Sequence, residues 1–183
     1  MSFWTLRQAA ETVLGGGVIA YPTEAVFGLG CNPYDAQAVI RLLEIKQRDM
    51  AQGLILIGHR LSDFDDFISP LQQSVRDKVM SSWPGPYTWL LPASEQCPYW
   101  LTGQHTKLAV RVTAHPQCRA LCKKLGMPLV STSANRHGQH PARSTLQVRR
   151  RLGASVDYIL PGHTSGEHQP SQIRDAITDQ RIR

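Results

Sequence analysis

The sequence predicts one α/β domain that spans residues 1–183 and is built on a mixed β-sheet. The length suits one domain, and short apolar runs alternate along the chain with segments of helical periodicity. No internal repeat or low-complexity linker interrupts this alternation. Strands interleaved with helices are typical of a sheet that carries helices on its faces.

The first half of the chain contains clear boundaries for helices and strands. The glycine triplet at 15–17 ends a first helix in which Leu6, Ala10 and Val13 recur at helical spacing. A continuous apolar run at 54–57 is typical of a strand buried on both faces. Helices are predicted at 3–14, 36–45, 62–67 and 69–82, and strands at 18–21 and 53–58.

Turns and helix caps divide the second half in the same way. The segment 83–86, Trp-Pro-Gly-Pro, predicts a rigid turn that aims the strand after it. Pro116 opens a helix that Gly126 closes, and Thr145 is the expected cap of another. Strands are predicted at 88–91, 108–112, 129–132, 156–160 and 172–176, and helices at 115–126 and 145–153.

The composition is that of an ordinary globular protein with a basic balance. A formal net charge of +6 favours polyanionic partners such as nucleotides or RNA. No apolar stretch approaches the roughly 20 residues that span a bilayer, and the N-terminus lacks a signal-peptide pattern. We therefore expect a cytoplasmic protein with no membrane partner, whose cysteines are reduced and mostly packed.

Several familiar motifs are absent, which narrows the chemistry. There is no GxxxxGK[ST] phosphate loop and no GxSxG nucleophile motif, and the glycine triplet precedes its strand instead of following it. His115, Cys118 and Cys122 share one helical face, but cysteines at this spacing more often pack into a core than bind zinc. No protein metal site is predicted.

The most informative segment, residues 21–30, follows the first predicted strand. Pro22 ends that strand and places Thr23 and Glu24 at its carboxyl end, where ligands of α/β sheets usually bind. Gly28 and Gly30 would let the backbone approach such a ligand closely. The segment predicts a site for a small polar molecule.

Lys46 and Arg48 are candidates to hold phosphate groups. The helical pattern ends near residue 45, and in extended chain two side chains two residues apart point to the same side. Each charge-assisted hydrogen bond from such cations to a phosphate contributes roughly 1.5–3 kcal/mol. The alternative is a solvated helix end, where basic side chains meet the helix dipole favourably.

Two further segments carry unusual polar residues. Residues 131–135, Ser-Thr-Ser-Ala-Asn, directly follow an apolar strand, and they either bind phosphate or carboxylate oxygens or form a cap and turn. Arg111 interrupts the strand 108–112, where a cation needs a partner. It either grips a substrate carboxylate in a bidentate manner or forms a buried ion pair, with Glu24 as one possible partner.

Together these segments resemble the YrdC-like family, and within it the single-domain bacterial threonylcarbamoyl-AMP synthases. The resemblance covers almost the entire chain in the correct order. It rests on Tyr21-Pro22-Thr23-Glu24 with Gly28-Leu29-Gly30, Lys46-x-Arg48, Trp83-Pro84-Gly85-Pro86-x-Thr88, Val110-Arg111-Val112, Ser131-Thr132-Ser133-Ala134-Asn135 and Pro170-Ser171.

The resemblance implies an open, twisted α/β domain with a positively charged concave cavity. It also implies synthesis of L-threonylcarbamoyl-AMP and pyrophosphate from L-threonine, bicarbonate and ATP, with Mg²⁺ bound through the nucleotide. Other proteins of the tRNA threonylcarbamoylation pathway then modify adenosine 37 of tRNA, so these proteins and tRNA itself are the implied partners.

Residue roles follow from the same resemblance. The implied L-threonine site consists of Thr23, Arg111, Ser131 and Ser171. The implied ATP site consists of Lys46, Arg48, Ser133, Asn135 and Arg183, with Lys46 and Arg48 as the catalytic pair. The chain departs from the family pattern at Asp49, Gln52, Ile57 and Pro141.

Two other functions compete with this interpretation. A non-catalytic module that binds double-stranded RNA or tRNA would use the basic surface, including the arginine run 149–151. A sugar-phosphate enzyme of the same fold, such as a dihydroxybutanone-phosphate synthase, would need acidic metal-binding motifs, which the sequence lacks.

Overall fold

A computed structural model describes residues 3–167, 169 and 171–182 of the chain. Its helices are Phe3–Leu14 (α1), Ala36–Lys46 (α2), Gln73–Ser82 (α3), Tyr99–Thr102 (α4), Pro116–Leu125 (α5) and Thr145–Leu152 (α6). Its strands are Ile19–Pro22 (β1), Phe27–Gly30 (β2), Ile55–Gly58 (β3), Tyr87–Pro92 (β4), Lys107–Val112 (β5), Leu129–Ser133 (β6), Tyr158–Ile159 (β7) and Gln172–Asp175 (β8).

The strands form a mixed sheet in the order β7-β1-β2-β6-β3-β5-β4-β8. The pairs β1/β7, β3/β5 and β4/β8 are parallel, and the remaining neighbours are antiparallel. This arrangement confirms the predicted mixed α/β sheet flanked by helices. None of the helices in the described parts of the chain has the length and apolar character that a membrane span requires.

Side chains alternate between the two faces of the sheet, as the period of a strand requires. Ala20, Leu56 and Val130 pack on one face, in a core that includes residues of α2, α3 and α6. Ile57 and Leu129 pack on the other face, in a smaller core with α1 and α5. These two helices cover only part of their face of the sheet.

Several predicted elements differ from the structure. The glycines at 28 and 30 belong to β2, a strand that was not predicted, which pairs with β1 in register Tyr21↔Gly28 to form a hairpin. The predicted helix at 62–67 is a 3₁₀ turn, Leu61–Phe64, and the next helix begins at Gln73 instead of 69. The α4 helix was not predicted. Lys46 is the last residue of α2 and does not lie in extended chain.

Candidate functional site

A cavity of about 720 Å³ opens on the sheet face that α1 and α5 leave uncovered. The cavity and the core formed with these helices lie on the same face of the sheet, because Ile55 lines the cavity and also packs against that core. The volume lies within the range of small-molecule sites. Strand residues that form its floor include Gly28, Ile55, Ala109, Arg111, Ser131 and Ser133.

All four residues that the resemblance assigns to threonine line this cavity: Thr23, Arg111, Ser131 and Ser171. They come from four separate segments, and the sheet brings them together. The Ser171 hydroxyl is 2.8 Å from the hydroxyl of Thr88, a buried residue on β4. The sequence around position 171 carried no signal apart from the resemblance.

Arg111 forms a buried ion pair and lines the cavity at the same time. Its Nη2 lies 3.2 Å from Glu24 Oε2, and both side chains are over 90% buried. Thr113 Oγ1 and the Ala114 amide donate to Glu24 Oε1 at 2.7 and 3.0 Å. The two roles that the sequence left open for Arg111 are therefore compatible.

The electrostatics of Glu24 favour its ionised form. Burial opposes ionisation, but the Arg111 charge and the donors from Thr113 and Ala114 outweigh it, so the pKa of Glu24 lies below its usual value. The ionised Glu24 side chain therefore carries a negative charge beside the Arg111 guanidinium.

Ser131 is oriented by a buried tyrosine behind it. The Tyr21 hydroxyl donates to Ser131 Oγ at 2.8 Å, and the Tyr21 side chain is fully buried. Because Ser131 accepts this bond, its own hydroxyl proton is left to donate elsewhere, and Ser131 lines the cavity. Sequence reasoning noted Tyr21 as part of a motif but assigned it no role.

Lys46 and Arg48 diverge. The residue between them, Gln47, caps α2 in the left-handed conformation with φ of 52°. Arg48 then lines the cavity, and its Nη2 donates to the Gly53 carbonyl at 2.9 Å. Lys46 is 4% exposed and does not line the cavity. The expectation that both side chains point the same way in extended chain is wrong.

Lys46 instead holds the end of β6 from behind. Its Nζ lies 2.7 and 2.8 Å from the carbonyl oxygens of Ser133 and Asn135, and 3.3 and 3.1 Å from their side-chain oxygens. Burial and the neighbouring Arg48 charge lower the pKa of Lys46 to about 8. Ser133 lines the cavity whereas Asn135 does not, so Lys46 reaches the site through the segment it fixes.

The structure adds a cation that the sequence did not single out. Lys107 lines the cavity and forms an ion pair with Asp175 of β8. It lies four residues before Arg111 on β5, so strand periodicity places both side chains on one face. That spacing was available in the sequence as a signal.

The segment between β7 and β8 crosses the cavity from one edge of the sheet to the other. Its Ser165 and Glu167 amides donate to the Thr23 and Glu24 carbonyls at 3.4 and 3.1 Å. Glu167, Gln169 and Ser171 of this segment line the cavity. The crossing is a consequence of strand order, which the sequence did not reveal.

The four departures from the family pattern fall into different places. Gln52 and Pro141 line the cavity, whereas Ile57 is buried in the core. Asp49 caps the short 3₁₀ turn Met50–Gln52 by accepting from the Ala51 amide. Arg183 lies outside the described residues.

The cysteines of α5 pack as the sequence led us to expect. Cys118 Sγ donates to the Pro22 carbonyl at 3.0 Å and Cys122 Sγ to that of Ile57 at 3.5 Å. Both are buried, and burial raises the pKa of Cys122 to about 12. Over the described ranges, no three His, Cys, Asp or Glu side chains converge on a metal-binding position.

Comparison with known proteins matches nearly the whole chain to one family. The family model Sua5_yciO_yrdC, described as "Telomere recombination", matches residues 11–183. The threonylcarbamoyl-AMP synthase of Nitrosococcus oceani is 53% identical over 98% of this chain and 97% of its own length. The protein of the same name from Coxiella burnetii is 44% identical over 98% and 96%, respectively.

Solved structures agree with this match. P. abyssi Sua5 complexed with L-threonine aligns with a TM-score of 0.90 and 30% identity over 96% of this chain. The chain spans about half of that protein, 52% of its length. E. coli YciO aligns with a TM-score of 0.83 and 29% identity, over 97% of this chain and 86% of its own.

Proposed function

Because the chain belongs to the Sua5/YciO/YrdC family, we propose that it is a threonylcarbamoyl-AMP synthase. It forms L-threonylcarbamoyl-AMP and pyrophosphate from L-threonine, bicarbonate or carbon dioxide, and ATP. Sequence identity of 44–53% to relatives of that name over nearly their full length supports this activity. The observation that carries the proposal is a single cavity lined by Thr23, Arg48, Arg111, Ser131, Ser133 and Ser171.

In this proposal the amino acid binds across Thr23, Arg111, Ser131 and Ser171. The Arg111 guanidinium holds the substrate carboxylate, because a planar fork of N–H donors matches two carboxylate oxygens. The ion pair with Glu24 uses Nη2, one of the three guanidinium nitrogens, so the guanidinium keeps donor capacity beyond that pair. The Ser131 hydroxyl supplies a further donor, oriented by Tyr21.

ATP binds beside the amino acid, with Arg48 and Ser133 as direct contacts and Arg183 as a further member of the site. Lys46 and Asn135 complete this group by fixing the segment that carries Ser133. Lys46 and Arg48 stabilise negative charge through the electrostatic field that they create at the phosphates. Neither residue acts as a covalent nucleophile.

The chemistry then proceeds in two steps. The threonine amine either attacks carbon dioxide and releases a proton, or condenses with bicarbonate and releases water, and both routes give a carbamate. A carbamate oxygen attacks the α-phosphorus of ATP, the bond to the β-phosphate oxygen breaks, and pyrophosphate leaves. The cavity contributes mainly by positioning both substrates and by stabilising charge on the phosphate oxygens.

Mg²⁺ accompanies ATP in this proposal, bound through the phosphates and water. The cavity suits that arrangement, because the carboxylates among its described lining residues, Glu24 and Glu167, are too few to surround a metal ion. Glu24 is committed to Arg111 and Thr113, which leaves Glu167 on the crossing segment. Mg²⁺ commonly uses one or two carboxylates together with substrate phosphates.

The wider setting is tRNA modification in the cytoplasm, with one domain over residues 1–183. The product supplies other proteins of the tRNA threonylcarbamoylation pathway, which modify adenosine 37. Arg149, Arg150 and Arg151 are exposed on α6, and this basic run supports direct contact with tRNA. An RNA-binding module without catalysis would not explain why Arg111, Ser131 and Ser171 meet in one cavity, so we favour the enzyme.

One assay tests the activity directly. Conversion of ATP to pyrophosphate should require both L-threonine and bicarbonate, and L-serine and L-valine should support it poorly. Equal turnover without threonine, or RNA binding that falls steeply with salt and no nucleotide turnover, would contradict the proposal.

A further inference from the structure

The acid Glu24 lies at the junction between the β1–β2 hairpin and the end of β5. It is 6% exposed and belongs to the bend that Thr23 closes by donating its amide to the Val26 carbonyl at 3.0 Å. From this bend the carboxylate reaches strand β5 and the residues after it. A single side chain thus links two separate segments of the cavity wall.

Both carboxylate oxygens of Glu24 face this junction, and Oε1 is the one that accepts hydrogen bonds. Oε1 accepts from Thr113 Oγ1 at 2.7 Å and from the Ala114 amide at 3.0 Å. Oε2 lies 3.2 Å from Arg111 Nη2 in a buried ion pair that has no hydrogen-bond geometry, so charge is what links the two side chains. Thr113 itself is fully buried, so the donor that fixes Oε1 has little freedom to move.

This environment argues against Glu24 as a proton acceptor for the threonine amine. The net effect of its surroundings is a pKa below the usual glutamate value. A general base works best with a pKa near the working pH, which would require a shift in the opposite direction. The carboxylate therefore acts through the charge it holds.

We infer that Glu24 is a positioning residue that fixes the Arg111 guanidinium in the orientation that binds the carboxylate of the amino-acid substrate. The inference rests on the proposed function. Arg111 lines the cavity, and its ion pair with Glu24 uses Nη2, so Glu24 restrains the guanidinium without using all of its donors. A long side chain held in this way loses less freedom when substrate binds.

The first test is Glu24→Gln, which removes the charge and keeps the shape. We expect the KM for L-threonine to rise about tenfold or more, with kcat changed less than about threefold. Glu24→Asp keeps the charge on a shorter side chain and should give an intermediate KM. A fall in kcat with KM unchanged would identify a direct catalytic role and overturn the inference, as would unchanged values for both.

A double-mutant cycle tests whether Glu24 acts through Arg111. In an Arg111→Ala background, Glu24→Gln should cause little further loss of threonine affinity, because the group that it positions is already absent. Calorimetric titration with L-threonine measures this affinity without turnover. If the second substitution multiplies the loss by its full single-mutant factor, Glu24 acts independently and the inference fails.

Two further variants separate positioning from general damage. Thr113→Val removes one donor to Glu24, and it should raise the KM for threonine in the same direction by about threefold. It serves as the test if Glu24→Gln does not fold. Asp157→Asn is the matched control, because it breaks an ion pair with Arg41 away from the cavity and should leave the KM unchanged.

The activity of the wild-type protein shows whether the proposed function or only the positioning role of Glu24 has failed. If it shows no threonine-dependent formation of pyrophosphate, the proposed function fails. If it is active, and both Glu24→Gln and Thr113→Val keep the wild-type KM, only the positioning role fails.

Discussion

Gly30→Ala should destabilise the protein substantially, because β2 must pass close to two neighbours at this point. A Cβ atom there would overlap the Val130 carbonyl oxygen of β6, and it would lie 2.8 Å from the Tyr21 ring and 3.0 Å from Leu129. The nearest obstacle is backbone in the middle of the sheet, which cannot turn away as a flexible side chain would.

The magnitude follows from the cost of overpacking. Extra atoms in a well-packed core cost about 1–3 kcal/mol, and a backbone obstacle places Gly30→Ala in the upper half of that range. For a domain of this size, 1 kcal/mol lowers Tm by roughly 2–4 °C. We therefore expect a fall in Tm of about 4–12 °C, measured by circular dichroism or calorimetry.

Two companion variants sharpen the test. Gly15→Ala is the matched control, since its Cβ would lie 3.3 Å from the Glu11 carbonyl oxygen, and we expect a change within about 0.5 kcal/mol. In Gly28→Ala the added Cβ would lie 3.2 Å from the Tyr21 hydroxyl. This substitution should disturb the hydrogen bond between Tyr21 and Ser131 and raise the KM for threonine. A Gly30→Ala protein that melts like Gly15→Ala would refute the close-packing argument.

Three other predictions concern the site. Arg48→Ala should mainly lower kcat for pyrophosphate release and Arg111→Ala should mainly raise the KM for threonine, and unchanged rates in both would remove the site assignment. Because the pKa of Lys46 is about 8, the KM for ATP should rise as its ammonium loses a proton above that pH. The free energy of unfolding should also increase between pH 8 and 10.5, since the folded state there binds fewer protons than the unfolded state. The pyrophosphate assay at varied ATP and pH checks the KM, and pH-dependent denaturation of wild type and Lys46→Met checks the stability. Tyr21→Phe should cost about 1 kcal/mol of stability and raise the KM for threonine, because Ser131 loses its buried donor; a thermal melt and a threonine titration would detect each effect.

Local signals in the sequence predicted most elements because their causes are local. The glycine triplet ends α1 at Leu14, and Gly126 caps α5 in the left-handed conformation. The segment Phe27–Gly30 was not predicted as a strand, because glycine is depleted in strands and its two glycines were interpreted as positions of close approach to a ligand. Their actual role is to make room for Tyr21 across the hairpin, which depends on a cross-strand neighbour that periodicity does not identify.

Some residues of the candidate site were predicted from sequence motifs, and others were identified only in the structure. Motif resemblance selected Thr23, Arg111, Ser131 and Ser171, and the structure places all of them on one cavity. The relation between Lys46 and Arg48 was mispredicted, because one left-handed residue at Gln47 sends the two side chains to different places. The contact of Tyr21 with Ser131 depends on packing, and the position of Lys107 on the cavity depends on its place in β5.

The order of elements, the mixed α/β class and the polar segments at strand ends are encoded locally, since capping, turns and periodicity act over a few neighbouring residues. The choice of neighbouring strands, and the face that α1 and α5 leave open, depend on contacts between distant parts of the chain. Strand pairing joins residues far apart in the chain, such as Ile57 with Arg111, and a change of register by one residue would turn every side chain to the opposite face. That register is the physical reason why Arg111 meets Glu24 beside a cavity instead of the core.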